Sequence, residues 1–494
     1  MAIKRYYATA DNTITNAYKA NLSTRGVSGN MGQSDILEVF DIYGQVSSSA
    51  GLSNEASRIL IQFDTTQISD DRTAGNIPAS GSVSFFLRLY NAPHSQTTPK
   101  NFTLVTSLVS QSWDEGLGLD MENYTDIDAS NWITASNDPV IVKWTTEGGD
   151  YITGSDSKRT EYSFNQTFDT GFEDLEVDIS HGVESILDGT NENYGFGIKL
   201  TGSQETGSNS YYTKMFFARG SQFFLKRPVL EARWDDSKKD DRGDFFLSSS
   251  LVPASDNLMK LYLYNIVRGE LTNIPVIGTG DLHVSIYSGT LLNTGPSGSK
   301  IGFGPGGGTV TAGHVNTTAS HVETGIYSCS FAYTASAITT IFDVWHKNEL
   351  QYHTGSAIKV QTFDSTNYNF DNVYVSTLTN LRAVYSPQET ARFRLYVRSK
   401  DWSPTIYSVA SKDIENTIIN DAYYKVTRIS DNFDVIAYGT GSSNQTRLSY
   451  DASGSYFDLP MNVFKTDDVY EISFVYVING SFVEQPERFR FRVE

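Results

Sequence analysis

The chain has 494 residues, of which 38 are Lys or Arg and 57 are Asp or Glu, so its formal net charge is −19. Nucleic-acid binding needs clustered basic side chains that neutralise phosphates, and this charge balance therefore argues against a nucleic-acid partner. The single cysteine, Cys329, excludes an internal disulfide framework and any zinc site built from several cysteines.

The composition favours β-strands over helices. Aromatic residues make up 13% of the chain, with 29 Tyr and 28 Phe, and runs rich in Ala, Leu, Glu and Lys are missing. A chain of this length is too long for one ordinary core, so we expect two to four domains. The first residues lack the apolar stretch of a signal peptide, and no later stretch approaches the roughly 18 apolar residues of a membrane span. We therefore predict an all-β protein made in a cytoplasm, with neither secretory signal nor membrane partner.

The first segment, residues 1–234, is predicted to form a jelly-roll-like β-sandwich. A strand that begins at residue 57 places Ile59, Ile61 and Phe63 on one face, which is the period of two of a strand with one buried side. The residues that follow, Asp64–Thr66, have turn chemistry and end the strand.

One helix is predicted within this segment, over Ser180–Gly189. Ser180 is the expected N-cap, and Gly189 is the expected C-terminal stop. After the segment comes a dense run of charges at 235–244 that contains no apolar residue. Because such a run has nothing to bury, it is predicted to be an exposed linker.

Two further sandwiches of immunoglobulin-like type are predicted at 245–378 and 379–494. Their strand patterns recur every 8–12 residues or so with turn signals between them, as in sandwich folds. In the last sandwich, Asn479-Gly480 is the strongest short signal for a β-hairpin.

The stretch ETGIYSCSF supports an immunoglobulin-type strand in the second sandwich. Glu323, Gly325, Tyr327 and Cys329 alternate there, and such strands carry a Tyr two residues before a Cys. In that arrangement the Tyr hydroxyl bonds back to the main chain and holds a corner of the sandwich. With a single Cys there is no inter-sheet disulfide, so packing alone must hold this core.

Most motifs that suggest chemistry have an ordinary explanation. GFGPGG at 302–307 fits a dinucleotide-binding pattern formally, but no helix follows it and no βαβ unit contains it. The tripeptide at Arg242–Asp244 matches an adhesion sequence, although three residues recur by chance. The seven histidines have no common metal-ligand spacing, and we predict neither catalytic nor cofactor-binding residues.

The acidic loop SWDEGLGLDMENYTD is the one candidate ligand site. Trp113 is expected to anchor the loop in the core, while Asp114, Glu115 and Asp120 supply carboxylates at short spacing of the kind that can hold Ca²⁺. The ligand order of an EF-hand is not met, so the alternative is a solvated acidic loop with turns at its glycines. Carboxylate pairs for glycoside hydrolysis occur in any acidic protein and carry no weight here.

The first segment resembles a known family. In order, ATADNTI, SRILIQFD, LRLY, WDEGLG and RPVLEARW cover residues 1–234 and are similar to the DNRLRE-type domain. This resemblance implies a jelly-roll sandwich of the kind found beside bacterial carbohydrate-active enzymes, and a role in polysaccharide binding or cell-surface architecture.

The C-terminal part resembles a different group. The stretch at 422–494, with DASGSYFDLPMNVF and YEISFVYVINGSFVEQPERFRFRVE, is similar to the terminal domain of virion structural proteins from tailed bacteriophages of the T4-like marine type. This resemblance implies assembly in a host cytoplasm, release by lysis and location in the virion.

Two functions from different classes follow. The first is a non-enzymatic structural protein of a tailed-phage virion, on the head surface, neck or collar, tail or baseplate. It would dock onto other virion proteins, in several symmetric copies, through edge strands and Tyr-rich faces. The alternative is a carbohydrate-binding module protein that contacts host or surface polysaccharide, and the two combine in a host-attachment appendage.

Overall fold

A computed structural model describes residues 2–49, 51–137, 139–152, 162–292, 294–302, 304–305, 316–348, 350–363, 373–403, 405–406 and 416–494. The chain divides into two compact units. The N-terminal unit is Met1–Asp235 with Thr440–Gln445 and Val463–Lys465, and the C-terminal unit is Asp236–Gly439, Thr446–Asn462 and Thr466–Glu494. Within the described part of the chain, no helix has the length and apolar character needed to cross a membrane.

The N-terminal unit is built mostly from strands. They are β1 (Ile3–Thr15), β2 (Ile36–Ser48), β3 (Gly51–Phe63), β4 (Ser84–Leu89), β5 (Phe102–Leu108), β6 (Thr134–Ser136), β7 (Val142–Lys143), β8 (Ser163–Phe168), β9 (Leu175–Asp178), β10 (Phe196–Leu200), β11 (Tyr211–Phe217) and β12 (Val229–Arg233). The helices are α1 (Thr65–Thr73), α2 (Ser180–Leu187) and α3 (Gly202–Glu205).

Strand β1 connects the two layers of this sandwich. Its first half, Ile3–Tyr7, pairs with β12, and its second half pairs with β3 after a register shift between Ala8 and Ala10. Strands β9, β4 and β12 therefore continue one layer, while β3, β10, β5 and β8 continue the other. Side chains from both layers, such as Leu87 and Ile61, meet in one buried core.

Strand β3 agrees with the sequence pattern on one face only. Ile59, Ile61 and Phe63 are buried as predicted, but Leu60 on the opposite face is also fully buried in a second cluster with Trp132. The strand is therefore covered on both sides. The predicted turn after it begins helix α1, whose N-cap Asp64 accepts a hydrogen bond from the Thr66 amide.

Helix α2 begins at Ser180 and is predicted correctly except at its cap. The N-cap is Ile179, and Ser180 lies inside the first turn, where its Oγ accepts a hydrogen bond from the Phe85 amide at 2.8 Å. The Ser180 hydroxyl therefore binds a main-chain amide of strand β4 and does not cap the helix. Gly189 has a φ of +78° just after the helix, as expected for a C-terminal stop.

The C-terminal unit is likewise built from strands. They are β13 (Phe245–Phe246), β14 (Leu258–Tyr264), β15 (Ile266–Val267), β16 (Glu270–Leu271), β17 (Leu282–Ser288), β18 (Lys300–Ile301), β19 (Gly304–Pro305), β20 (Thr317–Glu323), β21 (Ile326–Ala332), β22 (Thr340–Lys347), β23 (Leu350–Thr354), β24 (Ile358–Gln361), β25 (Tyr374–Leu378), β26 (Val384–Tyr385), β27 (Thr390–Ser399), β28 (Ala422–Arg428), β29 (Phe433–Ile436), β30 (Ser449–Asp451), β31 (Gly454–Pro460), β32 (Val469–Ile478), β33 (Ser481–Glu484) and β34 (Phe489–Val493). Single turns of 3-10 helix lie at Phe224–Lys226, which belongs to the N-terminal unit, and at Asp241–Gly243, Ala254–Asn257 and Met461–Val463.

The strands of this unit form two sets. Strands β13–β24, apart from the small hairpin β15–β16, share one ten-stranded sheet, and strands β25–β34 form a four-stranded and a six-stranded sheet. Strand β25 pairs with β27, so Tyr374–Leu378 belongs to the last set, and the predicted boundary at 378/379 lies too far toward the C-terminus. The predominance of sheets in both units confirms the predicted all-β sandwich fold.

The charged run at 235–244 is not an exposed linker. Asp240 is only 4% exposed, and the Asp241 carboxylate accepts hydrogen bonds from the Lys260 amide at 2.6 Å and from the Tyr450 hydroxyl at 2.8 Å. Because Lys260 lies on β14 and Tyr450 on β30, this segment connects the two sets of strands in the C-terminal unit. The prediction was wrong because charged side chains become buried when the fold supplies partners.

Tyr327 holds the main chain as predicted, but at a different place. Its hydroxyl donates to the Gly278 carbonyl at 2.7 Å and accepts from the Ile274 amide at 3.1 Å. Both partners precede β17 and lie about fifty positions upstream, so the bond secures that loop rather than an adjacent corner. Cys329 is buried in the same core, as expected for a structural thiol.

The Asn479-Gly480 hairpin is confirmed. Both residues have positive φ, +51° and +77°, and they connect β32 to β33, with Ile478 opposite Ser481. This is the type I′ geometry whose twist matches that of the flanking strands. Here local chemistry alone was sufficient to predict the turn.

Candidate binding site

A cleft of about 530 Å³ lies in the N-terminal unit. It is formed by β3, β10 and the chain on either side of the small β6–β7 hairpin. Its lining residues are Arg58, Ser110, Gln111, Thr145, Thr146, Gly149, Asp150, Tyr151 and Lys199. Hydroxyl, amide and charged groups therefore dominate the surface that a ligand would meet.

Tyr151 forms an aromatic wall of the cleft because a glycine lies beneath it. A Cβ added at Gly197 of β10 would lie 2.0 Å from the Tyr151 ring, so only glycine lets the ring lie against this strand. The Tyr151 hydroxyl donates to the Gly148 carbonyl at 2.9 Å, which fixes the orientation of the ring. Burial raises the pKa of this phenol to about 12, so it stays neutral.

Arg58 is held rigidly at the edge of the cleft. Its Nε and Nη2 donate to the two carboxylate oxygens of Glu205 at 3.0 and 2.7 Å, and its Nη1 donates to the Gly148 carbonyl at 2.8 Å. The guanidinium also lies 5.0 Å from the centre of the Trp132 ring. These contacts leave little donor capacity for a ligand, so Arg58 acts mainly by its charge and by positioning its neighbours.

Lys199 is the group with the most capacity to bind. Its Nζ lies 4.6 Å from the centre of the Tyr151 ring, and among the described residues no hydrogen bond or ion pair to the ammonium is found. Burial lowers the pKa of Lys199, and the nearby Arg58 charge lowers it further. The ammonium therefore presents donors in a partly dehydrated cleft, where a hydrogen bond to a ligand oxygen gains strength.

The cleft also contains a fixed carboxylate. Asp150 accepts hydrogen bonds from the Thr145 and Thr146 amides at 2.8 and 2.9 Å. The cleft thus combines an ammonium donor, a carboxylate acceptor, neutral hydroxyls and one aromatic face. This combination suits a ligand with many hydroxyl groups, because each hydroxyl both donates and accepts.

The acidic loop is tied down by an ion pair rather than arranged around a cation. Glu115 receives two hydrogen bonds from Arg219, at 2.9 and 2.6 Å, and a third from the Asp11 amide at 2.8 Å. Asp11 itself accepts from the Arg219 amide at 2.6 Å, and burial raises its pKa to about 7. Glu115 therefore attaches the loop to β1.

The other two calcium candidates point elsewhere. Asp120 accepts from the amides of Glu122, Asn123 and Tyr124 at 2.7–3.0 Å, which closes a local turn, and Asp114 is exposed. Over the described ranges, no group of three His, Cys, Asp or Glu side chains is arranged to hold a metal ion. The structure does not bring Asp114, Glu115 and Asp120 together as a calcium site.

The loop is also attached by buried amides. Asn30 Nδ2 donates to the carbonyls of Glu115 and Ser130 at 2.7 and 2.9 Å, and its Oδ1 accepts from the Gly118 amide at 2.9 Å. Asn12 donates to Ser130 in turn. The ADN and WDEG stretches of the sequence are thus partners in one structural network.

Trp113 is buried, as predicted, and its indole donates to the Tyr194 carbonyl at 2.8 Å. The tripeptide at Arg242–Asp244 is bonded within the protein. Its Arg242 donates two hydrogen bonds to the Asp343 carboxylate, at 2.6 and 2.7 Å. Within the glycine-rich stretch at 302–307, positions 303, 306 and 307 lie outside the described residues, as does His314.

The cleft was not predicted. Arg58, Tyr151 and Lys199 lie far apart in sequence. Arg58 belongs to the SRILIQFD stretch, but neither Tyr151 nor Lys199 belongs to a motif. The one available signal was an arginine within a strongly apolar strand.

Comparisons with known proteins do not identify the chain. No protein-family model and no curated protein matches it. Solved structures with weak similarity include a chimeric titin Z1Z2 tandem, with 12% identity, 51% of this chain, 93% of that chain and a TM-score of 0.16. Trypsin-activated alpha-2-macroglobulin from Escherichia coli has 8% identity, 88% and 24% coverage, and a TM-score of 0.16. A DUF4785-family protein from Legionella pneumophila has 8% identity, 100% and 90% coverage, and a TM-score of 0.13. Similarities this low support no conclusion about function.

Proposed function

We propose that this protein is a non-enzymatic structural component of a tailed-phage virion that docks onto neighbouring virion proteins. The observation that carries this proposal is an exposed sheet edge in the segment 422–494, the part whose sequence resembles terminal domains of such proteins. Its place in the particle is the head surface, neck or collar, tail or baseplate.

The edge is strand β33. It pairs with β32 on one side, and on the other side no described strand pairs with it. All four of its residues are exposed, and two are large and apolar, Phe482 at 58% and Val483 at 41% exposure. An exposed apolar edge with free main-chain groups is a template for adding a strand from a partner.

Substitution of Val483 by Lys is expected to reduce incorporation into particles. A lysine on the edge places a charge where a partner strand would pack and so opposes strand addition. The measurement is quantitative mass spectrometry of purified virions, with a cryo-electron microscopy reconstruction to locate the chain. We expect at least a tenfold drop in copies per particle, corresponding to about 1.4 kcal/mol of lost docking free energy.

The matched control is Val276→Lys, which places the same charge at a valine that is 78% exposed and lies outside any strand. Incorporation of this variant should equal that of the unmodified chain. Absence of the chain from purified particles refutes the virion role, and equal incorporation of both variants refutes docking through β33.

A second candidate function, glycan binding, is favoured by the cleft at Tyr151 and Lys199. Its aromatic wall, ammonium donor and hydroxyl lining match the requirements of a sugar ring, which has apolar faces and hydroxyl edges. A virion appendage with this cleft would contact host or surface polysaccharide.

Substitution of Lys199 by Met is expected to weaken glycan binding about tenfold or more, because it removes charged hydrogen bonds while keeping the length of the side chain. Binding is measured on an array of bacterial surface oligosaccharides with the full chain. Lys100→Met, at an exposed lysine that does not line the cleft, is the control and should bind normally. Failure of the unmodified chain to bind any bacterial surface glycan contradicts this function but leaves the virion role standing.

A further inference from the structure

Strand β11 contains a buried lysine amine that neither the cleft nor the sheet edge uses. Lys214 is 1% exposed. As an ammonium, its Nζ donates to Asn91 Oδ1 at 2.6 Å and to the carbonyls of Gly171 and Glu173 at 2.9 and 2.8 Å. All three partners are neutral groups, which stabilise a buried ammonium less than a carboxylate would.

The surroundings of this amine keep water away from it. Its Nζ lies 4.8 Å from the centre of the Phe216 ring and 5.3 Å from the centre of the Phe168 ring. Burial lowers the pKa of Lys214 to about 8, although the negative charges of Asp174 and Glu173 act in the opposite direction. About a tenth of the amine is therefore neutral at pH 7, and a desolvated neutral lysine is a nucleophile.

The three contacts direct a neutral amine at the carboxamide of Asn91. A neutral amine has two N–H donors and one lone pair. Because the Gly171 and Glu173 carbonyls can only accept, they bind the two hydrogens, and the lone pair then faces Asn91. Asn91 Cγ is bonded to Oδ1 at about 1.23 Å, so it lies less than about 4 Å from Nζ. Reacting atoms held this close need little further motion to meet.

The backbone holds both groups in place. Asn91 follows β4 and forms a bridge with Phe216 of β11, and the Ala92 amide donates to the Met215 carbonyl at 3.0 Å. A carboxylate lies beside the pair, since Asp174 Oδ1 accepts from the Asn91 main-chain amide at 2.7 Å. A carboxylate in this position can take up a proton from one nitrogen and deliver it to another.

We propose that Lys214 and Asn91 form an intramolecular isopeptide bond, with Asp174 as the proton carrier. The lone pair of Lys214 Nζ attacks Asn91 Cγ, so that a Nζ–Cγ bond forms and the Cγ–Nδ2 bond breaks. Asp174 takes one proton from Nζ and delivers it to Nδ2, which leaves as ammonia. One amide is exchanged for another, so the reaction needs neither an oxidant nor a second reactant.

The bond joins two parts of the N-terminal sandwich. Lys214 lies on β11, which pairs with β2, whereas Asn91 follows β4, which pairs with β12 and β9. The two residues are 123 positions apart, and closing so long a loop lowers the entropy of the unfolded chain, as a disulfide does. With a single cysteine the chain has no internal disulfide, and an isopeptide bond supplies a cross-link that reductants do not open. The inference is independent of the virion role and of glycan binding.

The test is the intact mass of the full chain after folding, measured under denaturing conditions. Loss of ammonia makes the cross-linked chain about 17 Da lighter than its sequence requires. Lys214→Met should lack this deficit, and comparison of the two chains removes the effect of any processing at the termini. Protease digestion and tandem mass spectrometry of the unmodified chain should give one branched peptide that contains both Asn91 and Lys214.

Two further variants separate the chemistry from the fold. Asp174→Asn keeps both reacting groups and an acceptor for the Asn91 amide, and it should cross-link at least about tenfold more slowly. Lys100→Met makes the same change as Lys214→Met at an exposed lysine and should keep the full deficit.

An unmodified chain with the full mass of its sequence overturns the proposal, whether or not the variants fold. A deficit that persists in Lys214→Met overturns it too, because the ammonia then comes from another site, such as ring closure at an asparagine. Equal rates in Asp174→Asn and the unmodified chain overturn the role of Asp174. A branched peptide joining Asn91 to Lys214 establishes the bond.

Discussion

Replacement of Glu231 by Ala is expected to lower the free energy of unfolding of the N-terminal unit by about 3–5 kcal/mol. Glu231 is 1% exposed on β12. It binds Arg5, Arg88 and Arg233 at 2.9, 3.3 and 2.7 Å, and those three side chains are themselves at most 9% exposed. Without the carboxylate, these buried guanidinium groups lose their shared counter-charge.

The pH dependence of this contribution has a definite sign. Burial by itself raises the pKa of Glu231, but the charges of Arg88, Arg5 and Arg233 outweigh it and hold the pKa well below its ordinary value. The stabilisation is therefore complete above the unfolded pKa, near 4.5, and is lost as the pH falls below it. In the Ala variant this part of the acid sensitivity should disappear.

Urea denaturation measures the loss of free energy of unfolding. Hydrogen exchange of peptides from β1, β4 and β12 shows whether the loss occurs in the N-terminal unit. Glu184→Ala is the control, because its single ion pair with Arg72 is about one-fifth exposed on both sides and keeps some contact with water, so we expect a smaller loss than at Glu231. Equal losses in the two variants would show that burial does not strengthen the Glu231 cluster.

Replacement of Arg242 by Ala is expected to lower the free energy of unfolding of the C-terminal unit by a similar amount, about 3–5 kcal/mol. Asp343, on β22, is fully buried, and it also accepts from the Trp345 indole at 2.7 Å. Although burial raises the pKa of Asp343, the hydrogen bonds and charge of Arg242 lower it overall. Removal of the arginine leaves a buried carboxylate with a neutral donor only.

In that variant the pKa of Asp343 should rise above its ordinary value. A carboxyl group with a raised folded pKa stabilises the fold below the unfolded pKa, and the contribution is lost as the pH rises. Part of the loss measured at pH 7 should therefore be recovered near pH 5. Thermal unfolding at both pH values tests this sign.

The control in the same unit is Arg392→Ala. Arg392 binds Asp458 at 2.8 Å, but the pair is 48% and 32% exposed, so its removal should cost about 1 kcal/mol or less. A loss at Arg242 as small as this one, or a loss independent of pH, would contradict the role assigned to the buried pair.

Features set by neighbouring residues were predictable from sequence. The alternation at Ile59, Ile61 and Phe63 predicts a buried strand face, and Asn479-Gly480 predicts a tight hairpin, because both depend on local backbone geometry. Trp113 was also correctly predicted to be buried. The reason here is the residue type, because a large apolar ring is stable where water is excluded.

Features set by distant partners were not predictable. The charges at 235–244 were expected in solvent, yet Asp240 is buried and Arg242 is bound to Asp343, about one hundred positions away. The spacing of carboxylates in the acidic loop predicted calcium ligands, but the Glu115 carboxylate forms an ion pair with Arg219. Whether a charged side chain is solvated, paired or free to bind depends on which partner the fold brings to it.

By itself the sequence determined the strand-rich class, the single buried thiol and the local turns, because these depend on composition, on periodicity and on backbone preferences. Only the tertiary structure decided where the cleft lies, since Arg58, Tyr151 and Lys199 meet through the pairing of β3 with β10 and the packing of a loop onto them.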